Sequence, residues 1–107
     1  MIWAEETIKA VVNERELLCQ LAEEANELAQ AALKLRRALD GTNFTPKSVR
    51  DCRENLTEEI ADVGVILRML GLTSDHEIFK QQKIGAAKQI RWAERLLKEE
   101  TNNAQSR

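Results

Sequence analysis

The chain has 107 residues, a formal net charge of -2 and 43% hydrophobic residues, enough for one domain with one small core. No block of like charge is long enough for a nucleic-acid arm, and no apolar stretch approaches a membrane span, so neither nucleic acid nor membrane is an expected partner. No basic segment followed by an apolar run opens the chain, and a cytoplasmic location is expected.

Ala, Leu, Glu, Gln, Lys and Arg dominate, whereas one Pro, four Gly, two Trp, two Phe and no Tyr leave little material for strands and hairpins. The fold class read from this is all-α. The first helical segment runs from about Glu5 to Asp40, with room for an interruption at Asn13 to Glu16, where the apolar pattern lapses. Gly41 is placed to cap it in the left-handed conformation. The second follows Thr45 and Pro46, a capping residue and a first-turn proline, and runs to Leu70 before Gly71. The third starts at Ser74, which forms a capping-box pattern with Glu77, and continues to about Lys98. Residues 1–98 are read as a single helical domain and 99–107 as a polar, frayed tail. Cys19 and Cys52 lack CxxC spacing and sit beside apolar neighbours, so both are read as free, buried thiols.

The apolar seams of the first two helices carry the chemistry. Written with alternating spacings of three and four, the first reads Leu17, Leu21, Glu24, Leu28, Ala31, Leu35, and the second Val49, Cys52, Leu56, Glu59, Val63, Ile66, Leu70. Each contains one glutamate. Glu27 and Asp62 lie three residues further on, so each helix projects two carboxylates from adjacent turns of one face. Facing residues of an antiparallel hairpin have a constant sum of numbers. Glu24 with Asp62 and Glu27 with Glu59 give the same sum, which centres the turn on Asn43, inside the loop already assigned from Gly41, Thr42, Asn43, Phe44 and Thr45. Four carboxylates at one level repel unless they are protonated or neutralised by a cation. Solvated surface charges need neither occupy two consecutive apolar seams nor match in level.

An all-oxygen ligand set suits a hard ion, Mg²⁺ first, with Mn²⁺ as a substitute. A di-iron bundle wants Glu-x-x-His pairs, and the sole histidine, His76, has Thr73 three residues before it. The third helix has the opposite character. From Phe79 to Lys98 it has six cations, Lys80, Lys83, Lys88, Arg91, Arg95 and Lys98, against one anion, Glu94, and Lys83 interrupts a seam of Phe79, Ala86, Ile90, Ala93 and Leu97. Lys83 there is placed either for a salt bridge or for phosphate.

Glu23-Glu24-Ala25-Asn26-Glu27 followed by Glu59-Ile60-Ala61-Asp62 resembles the EExxE and ExxD motifs of the MazG-like all-α nucleoside triphosphate pyrophosphohydrolases. The resemblance spans about Leu17 to Arg95. It implies a bundle completed by oligomerisation, as a homodimer or homotetramer, and hydrolysis of a nucleoside triphosphate to the monophosphate and pyrophosphate. By the same resemblance Glu24, Glu27, Glu59 and Asp62 are metal ligands, Glu23 handles the attacking water, and Lys83 and Arg91 meet phosphate; Lys80, another cation of the third helix, is a further phosphate candidate. Phosphoribosyl-ATP pyrophosphohydrolases share this logic but rank lower, because no Tyr-His follows the ExxD motif. Gly64 and Gly85 inside helices each cost roughly 1 kcal/mol against Ala, which close helix approach would compensate. Trp3, Trp92, Phe44, Phe79, Asn13 and Gln20 are available to a base, with both tryptophans read as packing residues. The rival from another class is a helical interaction bundle without catalysis.

Overall fold

The computed structural model describes residues 2–42 and 47–105. Among them are four α-helices and no strand: α1 (Ile2–Val11), α2 (Glu14–Asp40), α3 (Val49–Met69) and α4 (Asp75–Gln105). The protein is all-α. No described helix is long and apolar enough to cross a membrane.

The boundaries follow from local chemistry. The lapse near Asn13 is a break, because Asn13 has extended backbone and its side chain accepts from the Glu16 N–H at 2.9 Å. This N-cap, with Glu14 and Glu16 in the first turn of α2, satisfies an orphan donor and suits the positive end of the helix dipole. The segment expected as one helix is therefore two. At the other end of α2, Gly41 adopts φ 71, and the Gly41 and Thr42 N–H groups bond the carbonyls of Ala38 and Arg37.

The expected start of the next helix at Thr45 and Pro46, and the turn centre at Asn43, lie outside the described residues. The described α3 begins at Val49, where Ser48 Oγ accepts from the Asp51 N–H at 3.0 Å. It ends at Met69, and Gly71 at φ 75 turns the chain. Ser74 Oγ accepts from the Glu77 N–H at 3.3 Å, as its capping pattern predicts. The tail expected to fray beyond Lys98 is helical to Gln105. Glu99, Glu100, Ala104 and Gln105 are good helix formers, and the Thr101 hydroxyl turns inward to donate to the Leu97 carbonyl at 3.0 Å.

The chain divides into two compact units, Met1–Leu72 and Thr73–Arg107. In the first, α2 packs along α3 and α1 touches α3. The core is Leu17, Ala31, Leu35, Cys52 and Met69, and every other position of the two expected seams is half-buried. Two side-chain readings change. Cys52 is buried, but Cys19 is exposed, because it lies two residues from both Leu17 and Leu21 and so points away from their face. Trp3 is 66% exposed instead of packed. A Cβ at Gly64 meets nothing within 4 Å, so the close approach expected there is not made.

The two flanks of the hairpin differ. Taking about 100° per residue, Glu23 and Glu27 lie to one side of Glu24 on α2, as do Glu58 and Asp62 relative to Glu59 on α3. The opposite flanks carry Leu18, Ala25 and Ala29 on α2, and Ile60 and Leu67 on α3. A twofold normal to an antiparallel pair carries each helix's flank to the same side of the hairpin. The hairpin thus has an acidic side and an apolar side, on which Leu18 and Ile60 are exposed.

The second unit is α4. Phe79, Ile90 and Leu97 of its expected seam are exposed, as are Lys83 and Trp92, so the reading of Trp92 as a packing residue is also corrected. Gly85 has open space around its Cβ position.

Candidate metal centre

Glu24 and Glu59 occupy seam positions, so packing α2 against α3 draws both carboxyls partly out of water. Glu27 and Asp62, one turn further along each helix, stay exposed on the acidic side. One carboxylate oxygen from each of Glu24, Glu27, Glu59 and Asp62 lies within 4.8 Å of the other three. The structure brings together all four residues predicted as ligands.

The electrostatics of this arrangement are unfavourable to the protein alone. Burial pushes the Glu24 carboxyl above its usual range, the neighbouring Glu27 carboxyl raises it further, and the charges of Asp62 and Glu59 add to the rise. The Glu59 carboxyl is raised likewise, first by burial, then by the neighbouring Glu27 and Asp62 carboxyls and the charge of Glu58. Both effects disfavour the ionised form. Oε2 of Glu24 and Oε2 of Glu59 are also shut off from solvent with no hydrogen-bond partner. A buried oxygen without a partner costs stability, and a bound cation satisfies two such oxygens and relieves their repulsion, as protonation also does. Oxygen donors alone suit a hard divalent cation, of which Mg²⁺ is one.

The other predicted site residues fall in two places. Glu23 is exposed on the acidic side of α2, next to Glu24 in sequence. Lys80, Lys83 and Arg91 are exposed on α4, in the second unit, and Lys80 pairs with Glu77 at 3.7 Å along that helix. Asn13 is taken up by its capping role, and Gln20 is exposed. A residue that the motifs pass over is Asn55. It lies one turn before Glu59 on the acidic side of α3 and is half-buried. The sign of it in the sequence is a polar amide four residues before a seam carboxylate. Comparison of the chain with protein-family models, with curated proteins and with solved structures gives no match.

Proposed function

We propose that the protein is a Mg²⁺-dependent nucleoside triphosphate pyrophosphohydrolase of the MazG-like kind, converting a nucleoside or deoxynucleoside triphosphate to the monophosphate and pyrophosphate. The observation that carries the metal reading is the convergence of four carboxylate oxygens within 4.8 Å, two of the carboxylates each having a buried oxygen without a partner. The triphosphate is supported by the resemblance of the Glu23 to Glu27 and Glu59 to Asp62 motifs and by the cations of α4.

Glu24, Glu27, Glu59 and Asp62 hold the ion, with Mn²⁺ as a substitute. When bound, Mg²⁺ neutralises phosphate charge, polarises the α-phosphorus and lowers the pKa of water. Glu23, exposed beside the ligands, orients the attacking water and accepts its proton as the water oxygen bonds the α-phosphorus and the bridging oxygen departs with pyrophosphate. Lys83, Arg91 and Lys80 bind phosphate oxygens. The exposed apolar side of the hairpin, with Leu18 and Ile60, supports assembly as a homodimer or homotetramer. The cytoplasm is the proposed location.

The test is incubation of the purified protein with each ribonucleoside and deoxynucleoside triphosphate and Mg²⁺, measuring monophosphate and pyrophosphate. Matched release of both from at least one substrate is expected. No turnover across the panel, together with no Mg²⁺-dependent rise in melting temperature, would leave a non-catalytic helical bundle as the better reading.

A further inference from the structure

Near the four carboxylates, the first unit carries four side-chain amides, Gln20, Asn26, Gln30 and Asn55. Gln20, Asn26 and Gln30 are exposed, whereas Asn55 is half-buried. Asn55 precedes Glu59 by four residues, which sets it about 6 Å along the α3 axis from Glu59 and on the same face. The hairpin levels place it opposite Ala31, which is 2% exposed. Among the described residues the Asn55 side chain has no hydrogen-bond partner. Asn is a poor helix-interior residue, and the Asn55 amide, unlike Oε2 of Glu24 and of Glu59, is not shut off from solvent, so it is open to a ligand.

We infer that Asn55 is an uncharged donor of this site for an anionic ligand, its Nδ2 group bonding a phosphate oxygen carried by the ion. This rests on the metal reading above. Glu23, Glu27, Glu58 and Asp62, which make up the acidic side, only accept hydrogen bonds when ionised, so a phosphate arriving there meets repulsion. Asn55 adds a donor without adding charge. Its side chain is shorter than glutamate and starts a full turn away, which keeps it out of the ion's own ligand set.

The experiment measures Mn²⁺ binding by electron paramagnetic resonance for wild type, Asn55→Leu and Asn55→Gln, with and without inorganic pyrophosphate. Circular dichroism checks that each variant keeps its helices. All three proteins are expected to bind Mn²⁺ within about threefold of one another. Pyrophosphate affinity of the Mn²⁺-loaded protein should fall at least about tenfold in Asn55→Leu, the effect of one hydrogen bond to a charged group, and recover partly in Asn55→Gln. Equal pyrophosphate affinity in wild type and Asn55→Leu overturns the inference and leaves the metal site standing. Loss of Mn²⁺ binding itself in a folded Asn55→Leu makes Asn55 an ion ligand and overturns the donor role. Failure of wild type to bind Mn²⁺ overturns the metal reading, and the inference with it.

Discussion

Glu59→Gln keeps the shape of a side chain in the carboxylate cluster while removing its charge, and it moves two measurable quantities in opposite directions. In the metal-free protein the Glu59 carboxyl is raised by burial and by Glu27 and Asp62, so its ionised form is disfavoured between α2 and α3. An amide removes that repulsion and brings N–H donors to the remaining carboxylates, so the metal-free variant should melt above wild type. With Mg²⁺ the order reverses. At a free concentration tenfold above its Kd, the ion stabilises wild type by about 1.4 kcal/mol, equivalent to about 5–10 °C in a domain of this size. A variant whose Kd is a hundred times weaker gains less than about 0.1 kcal/mol at that concentration. Calorimetric melting of both proteins, with and without Mg²⁺, reads both quantities. If Glu59→Gln melts below wild type without metal and shares its response to Mg²⁺, then Glu59 neither repels its neighbours nor holds the ion, and the reasoning fails.

The pH dependence of the metal-free protein follows from the same groups. The folded pKa values of Glu24 and Glu59 are raised above their unfolded values, so the stability they contribute is fully present below the unfolded carboxyl range and is lost as pH rises through the raised folded values. Melting temperature against pH should show this loss, reduced in Glu59→Gln and suppressed by saturating Mg²⁺. Leu17→Ala empties a buried position of the seam and should cost about 2–4 kcal/mol in urea denaturation, with an unchanged dependence on Mg²⁺ concentration relative to Kd. Ser48→Ala and Asn13→Ala each remove an observed N-cap bond and should cost about 1 kcal/mol by the same measurement.

The seams of α2 and α3 were legible because burial on a helix repeats every three or four residues whatever the tertiary details. Leu17, Ala31, Leu35 and Cys52 are buried where that spacing puts them, and Glu24 with Glu59 interrupt the seams at matching levels. The cluster could be found for the same reason. Cys19 was misread because apolar neighbours in sequence say nothing about which way a helical side chain faces. The two tryptophans were misread because size and hydrophobicity give the gain from burial but not the surface that supplies it. Ser48 was overlooked as a cap beside the stronger Thr45 and Pro46 signal, although it offers the same hydroxyl to Asp51. The role of Asn55 is invisible to a periodicity search, which scores an amide simply as polar. The basic character of α4 can be read in its sequence, but no spacing within one helix fixes a distance to carboxylates on two others.

The carboxylates stand several turns from the segment that joins α2 to α3, and their register is set by side chains along the seam. This divides the chain into stretches that tolerate changes in length and stretches that do not. The connecting segment can gain or lose residues so long as it still spans the gap, because loop closure depends only weakly on length. A single residue inserted between Leu28 and Leu39, or between Asp51 and Glu58, would swing everything on one side of it by about 100° relative to the other. The carboxylate pair and the core residues beyond it could then no longer face α2 or α3 together. A seven-residue insertion returns a helix nearly to the same face, so lengthening both helices by a heptad is the change that keeps the two carboxylate pairs level on the seam while moving them further from the turn.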